Sequence, residues 1–285
     1  MGTGASIEPQ LQPESPPSAP VASHPTFVRD DAEREIVAEQ LVSLLSPGSF
    51  EADQYRTLRH SVERLRLLSG LHVLAVTSPA PGDGKTITSL NLAGALAQGR
   101  DSNVLVIDAD LRRPSVSKYL GLTTERAPGL ADLLLHPEYE LSRAVRRLRR
   151  FNLSVLPAGS PQVAPYELLS SPRMDELLTE ARARYSFVLV DTPPVVSVHD
   201  CRLIGRGVDG FLLIVCAHKT PRRLVEEAIS LLDPARVIGV VLNGDDRPVH
   251  GDYGYYYTTA SRPARGGWWR RVWSGRESRD HDRRR

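Results

Sequence analysis

Residues 71–86, LHVLAVTSPAPGDGKT, decide the reading of this chain. A continuous apolar run through Val76 and Thr77 reads as a buried strand. It ends in a Pro- and Gly-rich turn, and Gly84-Lys85-Thr86 then opens a helix with Ile87, Leu90, Ala93 and Ala97 on one face. Strand, Gly-rich turn, Gly-Lys-Thr and helix in that order form a phosphate loop. Pro81, Gly82, Asp83, Gly84, Lys85, Thr86 and Ile87 are its nucleotide-binding stretch, with backbone N–H groups and the helix N-terminus around the phosphates. Lys85 is expected to reach the β/γ oxygens and the Thr86 hydroxyl a Mg²⁺ ion. Pro79 stands where the strict pattern has its first glycine. Lys85 is also one of only three lysines beside 33 arginines, so a lysine here is not filler.

Outward from that stretch, apolar runs recur at 103–108, 186–191, 210–217 and 237–243, with a shorter one at 153–156. They are continuously apolar, as parallel strands covered on both faces must be. Their alternation with helical stretches indicates an α/β fold with a doubly wound, mostly parallel sheet. Two of the runs deliver carboxylates to the carboxyl edge, where ligands bind in such sheets. Val104-Leu105-Val106-Ile107 leads into Asp108-Ala109-Asp110-Leu111-Arg112, and Val188-Leu189-Val190 leads into Asp191-Thr192-Pro193-Pro194. One Asp at a strand end reads as a cap, and Asp200 is read that way, as a helix N-cap. Three beside a Gly-Lys-Thr loop read as support for a dication bridging β- and γ-phosphates, which makes ATP and Mg²⁺ the expected ligands. Arg112 can clamp phosphate or pair with an acid. Asn243, ending the last strand, reads as a strand-end turn residue.

Length and composition bound the rest. The chain has 285 residues, enough for one domain of about 200 with loose ends. Its longest wholly apolar run, 211–217, is seven residues. A membrane-spanning helix needs about 20. Residues 1–25 are polar with six prolines and do not read as a signal peptide, and Cys201 and Cys216 form neither a disulfide framework nor a zinc pattern. Secreted, integral-membrane and zinc-ribbon classes are excluded in this reading, and a cytoplasmic protein is expected. The expected organisation is 1–48, a Pro-rich linker and a short helix at 30–46; 49–247, the phosphate-loop domain, opening with a helix at 51–68; and 248–285, a tail. Nine arginines against three acids in 262–285 make that tail a basic arm, and it carries Trp268, Trp269 and Trp273, all the tryptophans of the chain. The arm reads either as a solvated, disordered end or, since Trp and Arg together favour an anionic membrane surface, as a contact to one. Nucleic acid is not expected, since nothing else in the chain builds a basic groove.

The segment 78–86, the D-x-D-x-R of 108–112 and the Val190-Asp191-Thr192-Pro193-Pro194 run resemble the bacterial tyrosine kinases (BY-kinases) of capsule and exopolysaccharide production, P-loop NTPases of the deviant-Walker type. The resemblance covers roughly 49–257. Asp53, Arg56 and Arg59 are similar to that family's E-x-x-R-x-x-R oligomerisation motif, with Asp for Glu. Tyr253, Tyr255, Tyr256 and Tyr257, four of nine tyrosines within five positions, resemble its C-terminal autophosphorylation cluster. The resemblance implies an ATP-dependent protein-tyrosine autokinase working in trans within a homo-oligomer, as a ring. Lys85, Asp108, Asp110 and Asp191 would be catalytic, Thr86, Asp110 and Asp191 would support the metal, Asp108 would orient or deprotonate the acceptor hydroxyl, and Asn243 would contact the base. It further implies a separate type of kinase, activated by a membrane-anchored polysaccharide co-polymerase at the inner face of the membrane. The alternative is a deviant-Walker ATPase that positions cargo on a surface; such proteins carry a second lysine where this chain has Ala80.

Overall fold

The strands form where aliphatic residues run unbroken. In a computed structural model that describes residues 37–245 except 101, 123–126 and 163, they are β1 (Val73–Thr77), β2 (Val104–Asp108), β3 (Arg146–Leu148), β4 (Leu153–Leu156), β5 (Phe187–Asp191), β6 (Gly210–Cys216) and β7 (Val237–Asn243). They make one seven-stranded sheet in the order β3-β4-β2-β5-β1-β6-β7, parallel except for the β3–β4 pair. The helices are α1 (Val42–Leu45), α2 (Phe50–Ser69), α3 (Lys85–Ala97), α4 (Val116–Tyr119), α5 (Leu130–Leu135), α6 (Pro165–Leu169), α7 (Pro172–Arg184), α8 (Asp200–Ile204) and α9 (Arg222–Leu231). The linker at 1–27, the tyrosines at 253–257 and the Trp/Arg arm lie outside the described residues.

Side chains alternate across each strand, so two cores build on one sheet. Val73 and Ala75 of β1 and Leu105 and Ile107 of β2 face α5–α9. Leu74 and Val76, with Val104 and Val106, face α1–α4. The doubly wound, mostly parallel sheet is as expected. Three details differ. Strand β3 was not expected: Arg-Arg-Leu is too short and too charged to read as a strand, and it survives at the sheet edge, where charge also blocks further pairing. Strand β7 is not covered on both faces, since Val240 and Leu242 are 49% and 64% exposed on this other edge. Helix α3 is buried almost all round, because α1 and α2 lie over the side that a helix on a bare sheet would expose to water.

The expected helix at 30–46 is only the single turn α1 among the described residues, and the boundary expected at residue 49 falls inside packed structure. Leu41 is fully buried, and the Ala38 amide donates to the Tyr119 carbonyl at 2.8 Å. What holds this segment down is Asn91 of α3. Its Oδ1 accepts from the Ser43 amide at 2.9 Å and its Nδ2 donates to the Gln40 and Ile87 carbonyls at 2.9 and 3.0 Å. Helix α2 starts on the Ser49 side chain, which accepts from the Ala52 amide, and stops at Gly70 in the left-handed conformation (φ +72°). Arg59 fastens it to the far end of α3 by donating to the Ala95 carbonyl at 3.0 Å, while Asp53 and Arg56 pair at 2.5 Å.

Asn91→Leu removes one buried and two partly buried hydrogen bonds and strands two backbone groups. We expect a loss of about 2 kcal/mol of unfolding free energy by urea denaturation. An unchanged midpoint would show that residues 37–45 are not held by this side chain.

Candidate functional site

Two strands bring the acidic residues together and a third delivers the phosphate loop to them. Asp108 and Asp191 are register partners on the neighbouring parallel strands β2 and β5, so their carboxylates lie side by side. Thr77 ends β1 on the other flank of β5, and the phosphate loop leaves from there. Lys85, the first residue of α3, turns into this group: its Nζ is 3.0 Å from Asp110 Oδ2 and 3.7 Å from Asp191 Oδ2. The Thr86 hydroxyl donates to Asp191 Oδ2 at 2.6 Å and sits 3.0 Å from the Ser115 hydroxyl. Ser89, one helical turn after Lys85, donates to Asp191 Oδ1 at 3.2 Å.

The electrostatics follow from burial. Burial, and then the Asp191 charge, push the Asp108 carboxyl up to about 7. Burial also raises Asp191, against the opposing pull of Lys85 and of the Thr86 hydroxyl. For Lys85 burial opposes the charge, but Asp191 and Asp110 outweigh it and hold the ammonium above its ordinary range. One cation therefore faces three carboxylates. Hard oxygen donors with surplus negative charge suit Mg²⁺. Among the described residues no three acidic, His or Cys side chains form a cage by themselves. The ion would draw the remainder of its sphere from phosphate and water, as Mg²⁺ commonly does.

Asp108 and Asp110 are placed differently. Asp108 is fully buried; its Oδ2 accepts from the Ser115 and Val116 amides, both at 3.0 Å, and its Oδ1 from the Asp110 amide at 3.3 Å. Asp110 lines a cavity of about 620 Å³ together with Gly82, Gly84, Lys85, Thr86 and Ile87. The cavity is lined further by Pro193 and Pro194, from the motif that follows β5, and by Tyr119, Ser197 and Val198, which no motif marks. Arg112 lines it too, but its guanidinium pairs in two-pronged fashion with Asp200, at 2.6 and 3.1 Å. Asp200 is thus not the N-cap expected. His199 holds the cap position, and the Asp200 carboxylate, 1% exposed, is satisfied by Arg112 instead.

The back of the loop is braced from the other side of β1. Asp83 turns away from the cavity: its Oδ2 accepts from the Ala80 amide at 3.0 Å and its Oδ1 from the Thr220 hydroxyl at 2.7 Å. Asn243 Nδ2 donates to the Asp83 carbonyl at 2.9 Å, and Gly84 (φ +93°) leaves it room, since a Cβ there would lie 2.0 Å from that nitrogen. Lys219 Nζ donates to the Gly82 carbonyl at 3.2 Å. Lys219 and Thr220 follow a strand 137 residues away, and no local pattern marks them. Asp53, Arg56 and Arg59 lie apart from the cavity, on α2.

Comparison with known proteins bears on this geometry. A family model described as an AAA domain matches residues 71–204. Tyrosine-protein kinase YwqD of Bacillus subtilis is 36% identical over 220 residues, which are 76% of this chain and 91% of that protein. Tyrosine-protein kinase wzc of Salmonella typhimurium is 33% identical over 221 residues, 76% of this chain but 30% of that much longer protein. Among solved structures, the kinase domain of Escherichia coli tyrosine kinase ETK aligns with a TM-score of 0.68 at 30% identity, covering 75% of this chain and 83% of that one.

The buried carboxylates set a pH dependence. Asp108 titrates at its ordinary 3.8 when unfolded and near 7 when folded, in concert with Asp191. The folded chain therefore holds more protons between those values, and stability present below about 3.8 is lost as pH rises toward about 7. Thermal scans of the ligand-free protein should show the melting temperature falling across that interval, with a flatter profile in Asp108→Asn. Equal slopes for both proteins would contradict a shared buried proton.

Proposed function

The chain belongs to the bacterial tyrosine kinases, and from that membership we propose that it transfers the γ-phosphoryl group of ATP to the tyrosines at 253, 255, 256 and 257 of a second copy of itself. The observation that carries this reading is that Lys85 and Asp110, which line the cavity, meet there at 3.0 Å, with the buried Asp191 3.7 Å behind Lys85.

Each residue then has a task. The amides of 82–87 and the N-terminus of α3 cradle the phosphates. Lys85 leaves Asp110 for the β/γ oxygens, exchanging a carboxylate partner for a phosphate one. Thr86 and Asp191 would hold the Mg²⁺, with Asp110 beside them, and its charge would supply electrostatic stabilisation of the transferred group. Once Lys85 has moved, Asp110 is the cavity-facing carboxylate available to accept the hydrogen bond of the acceptor hydroxyl. Asp108, sealed behind it by three backbone amides, shapes the 108–116 turn instead of touching the acceptor. Phosphoryl transfer depends mainly on alignment and charge, so a carboxylate that orients the hydroxyl suffices. Arg112, bound to Asp200, fixes the cavity rim and leaves one face toward the nucleotide. Asn243 serves the nucleotide through the loop it braces.

The wider reading is a homo-oligomer, with Asp53, Arg56 and Arg59 of α2 at the subunit boundary, that works in the cytoplasm at the inner face of the membrane. It would act with a membrane-anchored polysaccharide co-polymerase as activator, and control capsule or exopolysaccharide synthesis. Phosphate added near the basic arm would then alter assembly through charge. Among the described residues no helix is long and apolar enough to cross a membrane, and a partner could supply the anchor. The competing ATPase that positions cargo has the fold in its favour and lacks support at Ala80.

Incubation with ATP and Mg²⁺ followed by intact-mass and peptide mapping tests the proposal. Wild type should gain phosphates on 253–257, and Lys85→Ala should lose at least about 100-fold in rate, since it removes a charge-stabilising contact and leaves buried carboxylates unpaired. Asp110→Asn should lower the rate with ATP binding retained. Phosphate that appears only on other residues, or equally in Lys85→Ala, would refute the assignment.

A further inference from the structure

We propose that Lys219 is a nucleoside contact: its side chain forms one wall for the sugar and base of the nucleotide whose phosphates the loop at 82–87 holds. The inference rests on the nucleotide-binding reading above. It begins with the order of the strands. Strand β1 lies between β5 and β6. Every carboxylate that meets Lys85 and Thr86 comes from the β5 side, which makes that side the one for the terminal phosphate and metal. A nucleotide anchored there leads its sugar and base along the loop toward β6 and β7, away from the acidic cluster.

The segment 217–221 between β6 and α9 occupies that end. The Lys219 and Thr220 amides both donate to the Cys216 carbonyl, at 3.3 and 3.0 Å, and the Ala217 amide donates to the Asn243 carbonyl at 2.7 Å. This tight return puts His218 at φ +61°, a left-handed conformation that residues with a Cβ seldom adopt. The turn aims Lys219 back at the loop. Its ammonium rests on the Gly82 carbonyl, and a Cβ at Gly82 (φ +82°) would lie 3.1 Å from it, so glycine keeps the approach open. A lysine ammonium has three donors. One is spent on Gly82, and among the described residues the others meet no acceptor, which leaves them for ligand oxygens. The methylene stem offers apolar surface beside them, as such stems do against rings and sugars. A brace alone does not call for a charged, flexible and exposed side chain, because the neighbouring Thr220 hydroxyl already ties the same turn at 2.7 Å.

Calorimetric titration of the full chain with ATP, ADP and inorganic tripolyphosphate, all with Mg²⁺, separates the two roles. Lys219→Ala should weaken ATP and ADP alike by about 10-fold and leave tripolyphosphate unchanged. Thr220→Val, which cuts the brace without touching a nucleoside, should weaken all three together. A Lys219→Ala protein that loses tripolyphosphate as strongly as ATP, or loses nothing, overturns the nucleoside contact. Wild-type protein that binds none of the three overturns the reading of the loop itself, and this assignment with it.

Discussion

Carboxylates buried side by side repel one another and forgo hydration, and at the carboxyl edge of this sheet a single ammonium opposes both effects. Asp108 and Asp191 are forced together by strand register, and Asp110 follows two residues on. Lys85 reaches two of the three, and the Thr86 and Ser89 hydroxyls serve Asp191. The arrangement is stable enough to fold and unsatisfied enough to bind. A ligand that brings phosphate to Lys85 and a dication to the carboxylates relieves the repulsion from both sides. The chemistry thus starts from a ground state that the protein holds under electrostatic load.

That load needs a rigid frame, and both flanks of β1 supply it. On one side Asp108 spends its oxygens on the amides of the following turn, which keeps Asp110 in the cavity. On the other, Asn243 and Thr220 hold the loop at Asp83, one through its carbonyl and one through its side chain. Loop amides that are fixed before a ligand arrives bind it without a further ordering cost. The glycines at 82 and 84 are needed less for flexibility than for the close approach of these braces.

Much of this was legible in the sequence, for physical reasons that also set the limits. Strands covered on both faces must be apolar throughout, so β1, β2, β5 and β6 declare themselves in continuous runs. An edge strand has no such obligation, and Arg146-Arg147-Leu148 passes unnoticed. Lys85, Thr86, Asp110 and Asp191 are readable because each sits in a short contiguous motif that needs its neighbours. Ser115, Lys219 and Thr220 reach the site only through the order in which distant strands are laid down. The environment of a legible residue was harder still. Asp108 and Asp110 share one motif, yet two backbone positions separate a sealed carboxylate from a cavity-facing one. Asp200 reads as a cap until Arg112 is found opposite it.

The scarcity of lysine has a chemical consequence. The chain carries its positive charge almost wholly on arginine, and its three lysines all lie on segments that form or border the cleft. Lys85 stands within it, Lys219 rests on its loop, and Lys118 is in α4 beside Tyr119, a wall residue. Side-chain acylation, whether chemical or enzymatic, therefore cannot fall on a neutral stretch of surface. Nor will it strike evenly. The amine of Lys85 is only 12% exposed and keeps its proton between two carboxylates, which leaves it a poor nucleophile. Lys118 and Lys219 are both exposed and are the accessible amines. A single acetyl group on Lys219 would place a neutral amide where the cation now rests on Gly82, so the few lysines of this chain concentrate the effect of acyl donors around the loop at 82–87.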